Sequence, residues 1–247
     1  ANDIPGISVK GVLQRSPDVP GAAELAFKTE KKIISAGVSM DNRGSRYLGP
    51  LQTSLAASLD NAFGLAEQLG INFTTAGEGE LNYYGANVSI GLNDEGTRIS
   101  ITGSHTRTVP GFTLEPLQTE GESDTLGLQL SHPFIRSRDQ NLQAFVRLDG
   151  RNTKNSQFNF TTSNDKIRSV RVGANYQMAD NWDGVNGVNA LFSHGLNAFG
   201  ATRSGTAGLT RASGKSDYAK VNLDIQRLQV ITPSLNLLLA ASGQYAF

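Results

Sequence analysis

The feature that most constrains this chain is an alternation of apolar and polar residues that recurs, with polar turns between, from Ile34 to Gln244. In Tyr84 to Asn93 the even positions are Tyr84, Ala86, Val88, Ile90 and Leu92, and the odd ones Gly85, Asn87, Ser89, Gly91 and Asn93. A period of two puts these sets on opposite faces of a strand, one apolar and one polar. Ser169 to Met178 repeats the pattern, with Val170, Val172, Ala174, Tyr176 and Met178 against Arg171, Gly173, Asn175 and Gln177. Ala219 to Gln226 repeats it again, and so does Leu142 to Asp149, with Phe145 the exception. Shorter alternations at Ile34–Asp41, Leu51–Asp60, Gly70–Thr74, Arg98–Ser104, Leu126–Ser131, Val188–Ser193 and Leu235–Gln244 bring the total to about eleven strands.

Two readings share this alternation, a soluble sandwich and a membrane barrel. Strands of roughly ten residues are long enough to cross a bilayer when tilted, whereas sandwich strands are usually about five or six residues. The connections also alternate in length. Asn93–Gly96 and the charged turn around Arg138 are short, while Val109–Ser123, Lys154–Asp165 and Asn197–Ser216 read as long loops rich in Gly, Ser and Thr. Short turns on one side and long loops on the other predict an all-β fold, a transmembrane antiparallel β-barrel of the bacterial outer membrane in contact with lipid. An extracellular adhesin remains the soluble alternative, separable by its solubility without detergent.

Composition excludes several functions. Charged residues make up 18% of the chain and the net charge is zero, so no nucleic-acid partner is indicated. There is no cysteine, hence no disulfide, thiolate metal site or thiol nucleophile. No stretch is apolar enough for a transmembrane helix, and no phosphate-binding glycine loop is present. His105, His132 and His194 lie far apart without partners at metal-ligand spacing, so no metal, cofactor or enzymatic activity is expected. Glu78 and Glu80 are near each other only along the chain and read as a solvated turn. Tyr83, Tyr84, Trp182 and Tyr218, near strand ends, are candidates for an interfacial aromatic girdle.

On the polar faces, Asn87, Ser89, Arg147, Asp149, Arg171, Asn175, Lys220 and Asp224 are the candidate lumen-facing residues. Mixed charges there, with Arg98, Arg107 and Arg168 at strand ends or on the same faces, suit ion-pair ladders that stiffen a wall. In "LSHPFIRSRDQNL" the alternation stops before Pro133 and resumes at Leu142. Since proline interrupts a central ladder, pairing is expected to end there, leaving Arg136, Arg138 and Asp139 in a short turn opposite the long loops and facing the periplasm.

The first thirty residues differ. "ISVKGVLQRS" and "AAELAFKTE", joined by "PDVPG", read as a hairpin whose Ile7, Val9, Val12, Leu25 and Phe27 would pack under a helix this chain does not contain. Together "DIPGISVKGVL", "VSMDNRGSRYLGP", "VSIGLNDEGTRISITGS" and "LSHPFIRSRDQNL" resemble the outer-membrane transporters of two-partner secretion, the haemolysin activator and filamentous haemagglutinin transporter family. Asp41-Asn42-Arg43-Gly44 and Ile135-Arg136-Ser137-Arg138, with Asp139 after it, are the most specific pieces.

The resemblance implies that residues 1–30 end a periplasmic POTRA α/β module and that 31–247 form the first eleven strands of a sixteen-stranded barrel. An eleven-stranded sheet leaves two open edges, so a longer protein is expected, and the resemblance implies that its remainder carries a lumen loop with a Val-Arg-Gly-Tyr-type motif. The implied function is secretion of an unfolded exoprotein through the lumen, without nucleotide hydrolysis, after its N-terminal secretion domain is captured by the POTRA modules. A barrel-assembly insertase of the same superfamily and a diffusion porin are the alternatives. The porin fits less well, because about eleven strands is neither an even nor a closed count.

Overall fold

The computed structural model describes residues 4–16, 21–211 and 213–247. The Pro17–Pro20 part of the "PDVPG" link therefore lies outside the described residues. Two antiparallel sheets are formed. The smaller pairs β1 (Ile7–Arg15) with β2 (Ala23–Lys31). The larger has eleven strands in sequence order: β3 (Ile34–Asp41), β4 (Gln52–Asp60), β5 (Gln68–Ala76), β6 (Leu81–Gly91), β7 (Arg98–Thr108), β8 (Glu120–Arg136), β9 (Gln140–Gln157), β10 (Phe160–Ala179), β11 (Gly184–Gly195), β12 (Ala219–Thr232) and β13 (Leu235–Ala246). Each predicted alternation falls on one of these strands. A 3-10 turn, Phe112–Leu117, is the one helical element among the described residues.

Every neighbour in the large sheet is antiparallel, so its connections divide between two edges. One edge carries the short turns after β4, β6, β8, β10 and β12, together with the Lys32-Ile33 link to the β1–β2 hairpin. The hairpin abuts this edge: Lys32 donates its N–H to the Gly6 carbonyl at 2.8 Å, and Asp60 donates to that of Ile33 at 2.7 Å. Gly6 has φ +70, and a Cβ there would stand 2.6 Å from the Lys32 carbonyl oxygen, so the approach needs glycine.

Three expectations need correction. The predicted loop Lys154–Asp165 is a hairpin: β9 runs to Gln157 and β10 starts at Phe160, turning through Phe158 and Asn159 at φ 50 and 64. Its residues are polar on both faces, so alternation could not reveal them as strand. The predicted loop Val109–Ser123 is shorter, because β8 already begins at Glu120. Nor does pairing end before Pro133. β8 continues to Arg136 through a bulge between Pro133 and Ile135. Because β7 begins at Arg98, opposite Ser131, β8 has a ladder neighbour on one side only at Pro133, and the bulge absorbs the irregularity.

In the small sheet, Val9, Leu13, Leu25 and Phe27 share a face, with Gly11 opposite Phe27. Val12 sits on the other face, opposite Ala26, and does not join them. Leu13 and Phe27 are largely exposed.

Candidate functional site

Residues directly opposite in an antiparallel ladder share a face. The register therefore assembles rows across the sheet. Ile34, Leu59, Leu69, Val88, Ile101, Leu128, Leu148 and Val170 form one apolar row from β3 to β10. Ile90, Ile99, Leu130, Val146, Val172, Phe192, Val221 and Tyr245 form the next, from β6 to β13. These side chains are open: Leu148 keeps 49% of its surface and Val172 48%. Burial is inverted relative to a soluble domain. Among the described residues the buried apolar side chain is Ala76 alone, while Asp60, Asn61, Glu67, Ser131, Ser163, Ser169, Ser193 and Ser216 are buried. Continuous apolar bands of this extent are unstable in water and suit an apolar surrounding.

The opposite face is polar. Ser89, Ser100, Gln129, Arg147, Arg171, Ser193 and Lys220 share one row, and Asn87, Thr102, Gly127, Asp149 and Ser169 another. Asn175, Asn189 and Asp224 share a third. All eight candidate lumen-facing residues thus stand on this one polar face; inner denotes the polar face and outer or outward the apolar one, by composition alone. Asp149 is its electrostatic centre: Arg147 donates from Nε to Oδ1 at 2.6 Å, and Arg171 Nε lies 3.3 Å from Oδ2. Arg147 also reaches Thr102 Oγ1 at 3.2 Å, passing over Gly127, where a Cβ would be 2.6 Å from its Nη2. Phe145, the exception to the alternation, lies on the inner face, and its ring covers Gly173 on β10.

The two motif pieces occupy opposite edges. Asp41, Asn42, Arg43 and Gly44 end β3 at the long-loop edge, where Arg43 donates its N–H to Asp41 Oδ1 at 2.9 Å. Gly44 N–H reaches the Pro50 carbonyl at 3.0 Å, and a Cβ on Gly44 would meet the Gly49 carbonyl at 2.1 Å. The following residues hold the 3-10 turn: Arg46 lies 5.5 Å over the Phe112 ring, and Tyr47 meets that ring edge-on at 6.1 Å. Arg136 ends β8 at the other edge, and Ser137, Arg138 and Asp139 make the turn. Ser137 closes it by donating its N–H to the Gln140 carbonyl and accepting the Gln140 N–H on Oγ, both at 2.9 Å. The Asp139 carbonyl accepts from Ala179, tying this turn to β10.

The remaining candidates scatter. His105 faces outward, paired with Asp124 at 2.7 Å, whereas His132 meets Thr97 Oγ1 at 2.8 Å. Arg107 pairs with Glu120, and Arg107 and Arg168 both stand on the outward face, away from the Asp149 cluster. Glu80 bends back onto the Glu78 N–H within its turn. Tyr84 faces outward, its ring 5.0 Å from that of Phe73 and tilted 40° to it, and Trp182 is exposed at the short-turn edge. Tyr83 pairs with Thr74 and Thr106 on the inner face, which removes it from an outer girdle.

Sequence reasoning missed two carboxylates at the short-turn edge. Asp180, after β10, pairs with Arg227 of β12 and accepts from Asn186 at 2.8 Å. The Arg227 guanidinium first, then Asn186 and the N–H groups of Trp182 and Gly184, hold its carboxyl far below the usual range against the opposing effect of burial. Glu67, before β5, accepts the N–H groups of Phe63 at 2.7 Å and Leu65 at 2.9 Å, and these lower its pKa. The signal for Asp180 was register: Asn186 lies opposite Arg227, which is legible only once β11 and β12 are aligned.

Comparison with known proteins agrees with this architecture. Residues 25–247 match the family described as haemolysin secretion/activation protein ShlB/FhaC/HecB. The chain is similar to the heme/hemopexin transporter protein HuxB of Haemophilus influenzae, 25% identical over 99% of this chain and 44% of that protein. It is similar also to the outer membrane transporter CdiB of Dickeya dadantii, 27% identical over 92% of this chain and 41% of that one. Among solved structures, CdiB from Escherichia coli superposes with a TM-score of 0.79 at 21% identity, covering 96% of this chain and 45% of that chain. CdiB from Acinetobacter baumannii gives 0.61 at 14% identity, over 99% and 45%. The chain thus spans less than half the length of the relatives it matches.

Proposed function

This chain belongs to the haemolysin secretion/activation family, and on that premise we propose that it builds part of the wall of an outer-membrane pore that secretes a partner exoprotein. The observation that carries the reading is the inverted burial, with apolar rows open on the outer face and the Arg147–Asp149–Arg171 cluster on the inner one. In this reading the outer face meets lipid and the inner face lines a lumen wide enough for an extended polypeptide. Strands of the longer protein pair with the edges of β3 and β13, since hydrocarbon penalises open ones.

In this reading the β1–β2 hairpin is the end of a periplasmic POTRA module, and the short-turn edge, including Arg136, Arg138 and Asp139, lies in the periplasm. The uncovered face of Leu13, Leu25 and Phe27 would pack against that module's helices. Capture of an unfolded N-terminal secretion domain by strand addition to the module precedes passage. Passage has no chemical step and uses no nucleotide, and folding outside biases its direction.

The test is secretion by the full-length protein produced with its exoprotein partner. Deleting the transporter should leave the exoprotein in the periplasm, and the purified protein should conduct ions in planar bilayers. Undiminished appearance of the exoprotein outside the deleted cell would overturn the proposal.

A further inference from the structure

β10 is paired along its whole length with β9, from Phe160 to Met178, yet β11 accompanies it only from Ser169 to Ala179. Its upper edge, Phe160–Arg168, therefore has no strand beside it among the described residues. The corresponding parts of β8 and β9 are flanked on both sides. An unpaired edge of this kind is a template for another chain.

The 196–218 loop, of which residues 196–211 and 213–218 are described, meets this edge through Leu196, Thr202, Gly208 and Thr210. Leu196 donates its N–H to the Arg168 carbonyl, Thr202 donates to that of Lys166, and Asn164 donates to that of Gly208, each at 2.8 Å. Lys166 donates its N–H to Thr202 Oγ1 at 2.8 Å, and Thr210 meets Ser163 Oγ at 3.0 Å. Leu196, Thr202 and Gly208 are six residues apart, where a strand would reach the edge at every second residue. Gly200, Gly205 and Gly208 turn at φ 75, 79 and 78, and Phe199 is 84% exposed. Arg168 Nε also donates to the Phe199 carbonyl at 3.1 Å, and the Thr210 N–H to Asp165 Oδ2 at 3.2 Å. The loop thus holds the edge by scattered polar bonds without a continuous ladder, and with Phe199 turned to solvent it lacks the cooperative pairing of the strands below.

We propose that the edge of β10 from Phe160 to Arg168 is a strand-addition site for the exported polypeptide, held closed by the 196–218 loop. The proposal rests on the secretion reading. In that reading the edge stands at the exit rim, opposite the hairpin, and Ser163 and Asp165 continue it onto the inner face. Strand addition takes its affinity from main-chain hydrogen bonds, so it suits a long cargo of varied sequence. Lys166 and Arg168 on the outer side favour acidic residues opposite them in the added strand, while Ser163 and Asp165 on the inner side favour small hydroxyl residues.

The test uses the full-length protein in detergent and a fluorescent nonapeptide of alternating threonine and glutamate. Replacing residues 199–214 by a short Gly-Ser linker should tighten peptide binding at least about ten-fold. Adding Asn164→Pro should abolish the gain, because that N–H points to the loop and away from β9, so proline removes an edge bond and no ladder bond. No gain on trimming, a gain that survives Asn164→Pro, or dimerisation without peptide binding would each overturn the proposal.

Should the trimmed protein fail to fold, the intact protein carrying Lys166→Cys and Thr202→Cys decides. Oxidation should slow export at least about ten-fold and reduction should restore it; export indifferent to oxidation overturns the proposal. If the reduced protein exports nothing while the wild type does, single-cysteine variants assign the loss to one substitution and peptide binding decides. If the wild type exports nothing, the secretion reading fails by itself, and peptide binding still judges the edge.

Discussion

The two halves of β10 follow different rules although one backbone runs through both. From Ser169 to Met178 the strand alternates, and its outward Val172 belongs to an apolar row that extends from β6 to β13. From Phe160 to Arg168 the sequence is FTTSNDKIR, polar on both faces, and the 196–218 loop stands where the next strand would be. Strand formation is common to both halves. The surroundings differ: hydrocarbon demands apolar side chains on one face and complete backbone pairing, whereas water demands neither.

The sharpest way to break this comparison is a charge on the outer face. Val172→Arg or Val88→Arg should cost about 2–4 kcal/mol at the membrane midplane and block insertion, whereas Asn175→Arg or Asn87→Arg on the inner face and Thr162→Arg in the projecting half should insert normally. Heat-modifiable migration of outer-membrane fractions reads the difference, and equal outcomes on both faces would refute the facing assignment. A smaller effect is expected inside. Asp149→Ala leaves Arg147 and Arg171 facing each other without their shared carboxylate and should cost about 1–3 kcal/mol, seen as a lower unfolding temperature with insertion retained.

At the short-turn edge the expected effect depends on pH. The folded-state pKa of Asp180 is depressed, so its contribution is present above the ordinary carboxylate value and is lost as pH falls through the folded one. Unfolding midpoints of the wild type should therefore decline in acid more than those of Asp180→Asn; parallel declines would remove Asp180 from the account. Smallest of all, Ile167→Thr in the projecting half should change stability by no more than about 0.5 kcal/mol, measured by the same thermal assay.

The sheet was legible because its alternation is imposed by two unlike surroundings, and a period of two assigns faces without knowledge of neighbours. That is why the eight inner-face candidates, from Asn87 to Asp224, could be grouped before any register was known. Where both faces are wet the signal vanishes, and Lys154–Asp165 read as a loop although it is the tip of the β9–β10 hairpin. Pro133 misled for a different reason: its cost depends on whether a strand lies beside it, a tertiary fact. The Asp149 cluster and the Asp180–Arg227 pair required register as well, the latter joining the turn after β10 to β12 across β11. Arg43 and Gly44 were recognisable as a motif, but their role in shaping the loop under Phe112 needed the Gly49 carbonyl in place.

The central claim is that the sheet is inverted, with its apolar rows in lipid and its charged rows in water. These 247 residues contain no cysteine to compete with an introduced spin label. In the full-length protein reconstituted in bilayers, relaxation by oxygen and by a polar nickel complex should be compared at Val146, Arg147, Leu148, Arg171, Val172 and Asn175, each replaced by cysteine. The account predicts a period of two: high oxygen and low nickel accessibility at Val146, Leu148 and Val172, and the reverse at Arg147, Arg171 and Asn175. Uniform accessibility along β9 and β10, or the opposite phase, would contradict it.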